Sequence, residues 1–177
     1  MKVFLLTLLC LPFFLPAAFS QDDGAWLSGG PYYGGFLGKG VKGDYFDPGL
    51  GVKASFGART QGRTDVAYYS FSFFRLQNRV GESTLPVNVF HHSFELYSRL
   101  GKKRIAPYAS YGLGMGVLKV SGLKGVDRYF YLPLGLGLRW DGNKVLADLY
   151  GRFFGAFGNQ FGQRIGYETG LMFGFIF

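Results

Sequence analysis

The stretch IGYETGLMFGFIF, residues 165–177, alternates with a period of two. Ile165, Tyr167, Thr169, Leu171, Phe173, Phe175 and Phe177 fall on one face. Gly166, Glu168, Gly170, Met172, Gly174 and Ile176 fall on the other. Successive side chains of a strand point to opposite faces, so this is a strand with one almost wholly apolar face. Residues 129–140 repeat the pattern, with Phe130, Leu132, Leu134, Leu136, Leu138 and Trp140 set against Tyr129, Tyr131, Pro133, Gly135, Gly137 and Arg139. A chain that closes on so apolar a segment is expected to present that face to something other than water.

Reading outward, the same alternation predicts eight strands, at about 31–39, 48–59, 65–76, 86–100, 105–118, 129–140, 144–155 and 165–177. Each is near the ~9–11 residues that cross a bilayer at a tilt, or slightly longer. The connectors predict two ends of different character. Those after the second, fourth and sixth strands are short: TQGRT (60–64), GKKR (101–104) and DGN (141–143), the last a tight-hairpin signal. Those after the first, third, fifth and seventh are longer: 40–47, 77–85, 119–128 and 156–164. This pattern predicts an all-β, eight-stranded, antiparallel, up-and-down transmembrane barrel, whose closure satisfies the backbone groups that lipid cannot. A soluble barrel of the lipocalin kind would turn the apolar face inward, but the other face is rich in Gly and Ser with few charges, a poor solvent surface.

At the other end of the sequence, MKVFLLTLLCLPFFLPAAFS has one cation at Lys2, an apolar core, and Ala18 and Ser20 in an A-x-S arrangement. It reads as a secretory signal peptide over 1–20, cleaved after Ser20, with the barrel domain over 21–177. Pro12 and Pro16 interrupt the core, which falls short of the ~20 apolar residues of a spanning helix. Cys10 lies inside that core, so the mature chain has no cysteine and no disulfide is expected.

The net charge of +8 is scattered singly apart from KKR at 102–104, unlike the clustered stripe of a nucleic-acid binder. It suits anionic lipid headgroups better, and no nucleic-acid partner is expected. The 29 glycines weaken strand and helix interiors, yet suit a small barrel that must leave interior space. Alternating Gly112, Gly114 and Gly116 are read as such strand glycines, since no helix follows to bind a phosphate. Tyr32, Tyr33, Tyr45, Phe46, Tyr68, Tyr69, Tyr108, Tyr129 and Trp140 are expected in headgroup-level girdles.

If the apolar sets face lipid, the lumen receives a charge network of Lys53, Arg59, Glu95, Arg99, Arg139, Asp148, Arg152 and Glu168. With them come Ser55, Ser70, Ser72, His91, Ser93, Tyr97, Ser110 and Tyr150. Buried charges need partners, and Glu95, Asp148 and Arg152 are expected at similar depth. A barrel of this size is filled by side chains, so the network reads as a plug, with ion conduction as the alternative. No cofactor is expected. The two histidines are adjacent and so on opposite faces, which speaks against a metal site.

The pattern Glu168-x-Gly170-x-x-Phe173-x-Phe175, with Phe177 following, resembles the last-strand signal that the barrel-assembly machinery reads in outer-membrane proteins. With eight strands, the whole mature chain resembles the small barrel class of the OmpA membrane domain and the opacity-like porin-family proteins. That resemblance implies the outer membrane of a Gram-negative-type bacterium, and a structural or surface-interaction role. It also implies contact with outer-membrane lipids and lipopolysaccharide, and possible extracellular partners through loops 40–47, 77–85, 119–128 and 156–164. A narrow porin is the alternative. His91-x-Ser93 within FHHSFE also resembles a motif of lipid A deacylases, small barrels themselves, in which a base activates a serine. Those enzymes follow the serine with Asn where Phe94 stands, and their active residues face lipid. Same-face residues also sit roughly 7 Å apart along a strand, so no enzyme is expected.

Overall fold

The computed structural model describes residues 24–38, 46–59, 65–80, 82–101, 103–122, 124–158 and 162–177. Residues 1–20, where a signal peptide is expected, Tyr45 and the connector 60–64 lie outside the described residues. The strands are β1 (Gly24–Leu37), β2 (Phe46–Asp47), β3 (Gly49–Arg59), β4 (Asp65–Val80), β5 (Ser83–Arg99), β6 (Ile105–Val120), β7 (Asp127–Asp141), β8 (Val145–Gly158) and β9 (Gly162–Ile176). Eight of them pair antiparallel with their neighbours, and the pairing of β1 with β9 closes the barrel. The two-residue β2 continues β3 past Pro48 and pairs with the far end of β4. Pro48 has no N–H for the ladder, which separates β2 from β3.

The polarity of the faces follows the alternation. Phe130 (63% exposed), Leu134 (65%) and Phe173 (61%) stand on the outside, while Glu95, Arg152 and Glu168 are at most 3% exposed. Such an exterior belongs in hydrocarbon, and the apolar-inward soluble barrel is ruled out by it.

Several expectations are corrected. β1 starts at Gly24, seven residues before the expected 31, because Trp26 and Ser28 continue its buried set through the glycine-rich run that masks the alternation. The long connectors shrink as the strands run on. Residues 77–80 and 83–85 belong to β4 and β5, 119–120 and 127–128 to β6 and β7, and 156–158 and 162–164 to β8 and β9. Of 40–47, the last two residues form β2 and the rest lie outside the described residues. The expected contrast of short and long connectors therefore does not hold; the strands themselves project at the end opposite Gly24 and Phe177. Of the supposed girdle aromatics, Tyr32, Phe46, Tyr68, Tyr108 and Tyr129 point inward and are buried. Tyr33, Tyr69 and Trp140 remain on the outside.

The inward tyrosines explain the glycines. Gly116 is the register partner of Tyr129, Gly114 of Tyr131, Gly137 of Tyr108 and Gly166 of Phe154. In each case a Cβ on the glycine would run into the ring of its partner. The glycines thus do not leave empty lumen; each lets a neighbouring aromatic ring lie flat against the wall. Gly151, by contrast, is exposed on the outside, and an added Cβ would come no nearer than 4.0 Å to the Glu168 carbonyl oxygen.

Gly116→Ala should therefore cost about 1–3 kcal/mol through overpacking, whereas Gly151→Ala should be near neutral. The check is the urea midpoint of each variant refolded in detergent or lipid, read by the mobility difference between heated and unheated barrel.

Candidate functional site: the barrel interior

The centre of the lumen is organised by Arg152 on β8. Its register partner on β9 is Glu168, so the two side chains leave the wall at one level and face. Arg152 Nε donates to Glu168 Oε2 at 2.6 Å, and Nη2 donates to Oε1 at 3.0 Å. Nη1 reaches across the barrel to donate to Glu95 Oε1 on β5 at 2.5 Å. This is a fork-shaped cation gripped by two carboxylates. Glu95 also accepts from Tyr68 Oη (2.5 Å) and Ser93 Oγ (2.6 Å), and Ser70 Oγ stands 3.1 Å from the same carboxylate. Both carboxylates are buried, so these donors replace water.

The other expected members of the network sit apart. Asp148 does not join Arg152; it accepts from Tyr108 Oη at 2.8 Å. Lys53 Nζ lies 4.6 Å from the centre of the Tyr150 ring. Arg139 donates from Nε to Asp141 Oδ1 (2.7 Å), and Arg99 donates from Nη1 to Asp141 Oδ2 (2.5 Å). The Arg139 guanidinium lies over the Trp26 ring at 4.5 Å. The side chain of Arg59 is outside the described residues. The expected single network is therefore four separate groups, because the residues enter at different heights of the wall. Asp141 was missed by sequence reasoning, which assigned it to a turn; its odd position, continuing the Arg139 face of β7, was the available signal. Tyr68, expected in a girdle, was missed likewise.

Toward the end that carries Gly24 and Phe177, these groups surround a cavity of about 20 Å³ lined by Trp26, Lys53, Ser55, Tyr97, Asp148 and Tyr150 among others. The indole N–H of Trp26 and the hydroxyls of Ser55, Tyr97 and Tyr150 find no hydrogen-bond partner among the described residues. The space holds about one water, not a file of them.

Toward the opposite end the lumen turns apolar. Phe36 packs its ring against those of Phe46 (5.6 Å between centroids), Phe74 (6.2 Å), Tyr129 (6.1 Å) and Phe154 (5.6 Å). Leu76, Val87, Val89, Leu118, Val120 and Ala156 extend the same buried cluster. Sequence reasoning did not foresee this cap. It follows from a reversal of faces along the strands. On β4 the inward set runs Tyr68, Ser70, Ser72 and then Phe74 and Leu76, while the outward set runs Tyr69, Phe71, Phe73 and then Arg75, Gln77 and Arg79. β5 reverses at Val89–Phe90 and β6 at Val117–Leu118, in register with Phe73–Phe74.

His91 and Ser93 both face the lumen and are buried. His91 Nε2 bonds the Tyr129 hydroxyl, Nδ1 lies 3.4 Å from Glu168 Oε1, and the ring stacks on Tyr131 at 4.4 Å. Ser93 donates to Glu95 and shares a 2.7 Å hydrogen bond with Ser70. The two side chains thus turn to different partners, and neither faces lipid.

At the last strand, Phe173, Phe175 and Phe177 stand outside the barrel, and Gly170 is set against Tyr32. Glu168 of the same pattern is committed to Arg152.

No protein-family model matches the chain, and no curated protein matches it in sequence. Solved structures do match. Neisserial surface protein A, NspA, superposes with a TM-score of 0.63 at 12% identity, covering 88% of this chain and 97% of that one. Ail, the attachment invasion locus protein of Yersinia pestis, gives 0.59 at 15% identity, covering 89% and 100%. The N-terminal β-barrel domain of Pseudomonas aeruginosa OprF gives 0.55 at 15% identity, covering 89% and 98%. The chain has the fold of these small outer-membrane barrels.

Removing Arg152 while leaving both carboxylates strands buried charge. Arg152→Met should destabilise the barrel by about 3–5 kcal/mol, and more than Glu168→Gln, which retains an oxygen acceptor for Arg152. Denaturant titration in the same lipid, followed by tryptophan fluorescence, gives the order.

Proposed function

We propose that this chain is a non-enzymatic, integral outer-membrane barrel with a structural or surface-interacting role, and that its lumen is a plug. The observation that carries this reading is the closed interior. The Arg152 clamp spans the middle from β8 and β9 to β5, and the Phe36 cluster fills the half beyond it. On this reading the barrel end that carries Gly24 and Phe177 faces the periplasm, and the aromatic cap and the projecting strands face outward.

With the lumen closed, the outside and the rim remain as the working surfaces. The apolar belt would sit among outer-membrane lipids and lipopolysaccharide. Extracellular partners would meet the ends of the β4–β5, β6–β7 and β8–β9 hairpins and the β1–β2 connection, rather than long loops. A surface role accords with the neighbour Ail, whose structure is also known in complex with the heparin analogue sucrose octasulfate. We further read Gly170, Phe173, Phe175 and Phe177, with Glu168, as the segment met by the barrel-assembly machinery before Glu168 is drawn inside.

The narrow-porin alternative requires an aqueous path through the Phe36 cluster. The deacylase alternative requires His91 to reach Ser93, which is instead bonded to Glu95 and Ser70.

In planar bilayers the protein should give no resolved conductance steps. Steps abolished by altering Arg152 or Glu95 would instead establish the porin. Ser93→Ala should leave the acyl-chain number of lipid A unchanged in cells expressing the barrel, read by mass spectrometry; an acyl chain lost only with Ser93 intact would establish the enzyme.

A further inference from the structure

The outer limit of the apolar belt carries an unbalanced row of cations. Arg75 on β4 and Asn88 on β5 are register partners, and Asn88 is the partner of Lys119 on β6. Arg128 on β7 is the partner of Val117, on the same outer face as Lys119 and two residues from it. Arg75, Lys119 and Arg128 are all exposed, and none forms an ion pair among the described residues. The acids nearby are engaged or aimed elsewhere. Asp47 holds Arg79 at 2.7 Å, Asp127 belongs to the inward set of β7, and Glu82 lies at the tip of the β4–β5 hairpin.

One step toward the membrane centre from Arg75 and Lys119, on the same face, lies an apolar row, and Arg128 stands at the end of it beside Val117, where its long side chain can reach up to the level of the other two cations. Phe90 on β5 is the register partner of Phe73 on one side and of Val117 on the other, and the Phe73 and Phe90 rings stand 4.8 Å apart. Beside Arg75, the interruption at Pro48 opens a groove lined by Gly49, Leu50, Leu76 and Pro86. Adjacent strands are about 4.8 Å apart, so Arg75 and Lys119 are separated by about 10 Å across the wall. Arginine presents a planar fork to a phosphate, and lysine a point charge.

An occupant matching both rows must carry phosphate at the headgroup level and acyl chain immediately below it. We propose that Arg75, Lys119 and Arg128 bind the phosphate groups of an outer-leaflet phosphorylated glycolipid of the lipid A type, whose acyl chains lie over Phe73, Phe90 and Val117. This deepens the outer-membrane reading above and rests on it. A soluble anion would gain from the cations but nothing from the apolar row, which is why the lipid is favoured over a free polyanion.

The test uses the whole barrel reconstituted in nanodiscs of neutral phosphatidylcholine doped with lipid A, with lipid retained after detergent extraction counted per barrel by mass spectrometry. The variants are R75Q/K119Q/R128Q and, as a control on the opposite rim, K103Q/R104Q/K144Q. At roughly fivefold per cation near a membrane surface, the first triple variant should weaken lipid A retention on the order of a hundredfold. The control should leave it unchanged, and enzymatically dephosphorylated lipid A should not be retained by the unaltered protein. Equal retention by both triple variants, or of the dephosphorylated lipid, would overturn the proposal. So would displacement by sucrose octasulfate at matched charge concentration, which would assign the row to soluble polyanions. Heat-dependent mobility of each variant shows whether the barrel has formed; a protein that never enters the nanodisc defeats the outer-membrane reading itself, a result distinct from insertion without lipid A binding.

Discussion

Closure of the sheet between β1 and β9 is the constraint from which the remaining features follow. It removes the last unpaired strand edge, so that no backbone group at membrane depth needs a partner from lipid. It also fixes the interior to the volume that eight strands enclose, and that volume is then filled from the wall inward. Rings lie across register-paired glycines, as Tyr129 does on Gly116 and Phe154 on Gly166. Where polar groups enter, they have to satisfy one another. The Arg152 fork meets that demand by joining the wall at β8 and β9 to the opposite wall at β5. The clamp thus ties together strands that share no hydrogen-bonded ladder.

The period of two persists along each strand, but the meaning of its two faces changes. Within the belt the apolar set is outside and the polar set inside. Beyond Phe73–Phe74, Val89–Phe90 and Val117–Leu118 the arrangement is that of a water-soluble barrel, with Arg75, Gln77 and Lys119 outside and Leu76, Val87 and Val120 inside. The two consecutive apolar residues at each crossing are what a reversal of polarity produces in an alternating sequence: the last lipid-facing residue is followed by the first core-facing one. Their alignment in register across three strands marks the level at which the surroundings change from hydrocarbon to water.

The fold was largely legible because the belt imposes strict alternation, so 130–140 and 165–177 could be assigned to faces residue by residue. The first strand was not, since the glycines at 24, 29, 30, 34 and 35 carry no side chain to reveal a period; only Trp26 and Ser28 signal the early start. Strand ends were misjudged for a related reason. Residues such as Gln77, Arg79 and Lys119 look like loop in a search for apolar faces, yet they are the solvent side of strands that have left the membrane. Lumen residues could be placed on the correct face, but which charge meets which depends on stagger between strands, and composition does not contain that. Asp148 and Arg152 are four residues apart on β8 and both point inward, yet that separation along the strand puts them in different groups.

The charge content of the lumen supports the same division of labour between inside and outside. Among the described residues of the inward face, Lys53, Arg99, Arg139, Arg152 and Arg164 are matched by Glu95, Asp127, Asp141, Asp148 and Glu168. Pores that select by charge carry rings of one sign; this interior is matched and lies beneath an aromatic cap. At the outer limit of the belt the balance is broken, because Arg75, Lys119 and Arg128 gather on neighbouring strands while nearby acids are paired or turned inward. Net electrostatic attraction is therefore concentrated where the wall meets charged headgroups, and the matched interior contributes cohesion. The uncompensated charge lies on the surface available for recognition, while the buried charges hold that surface in shape.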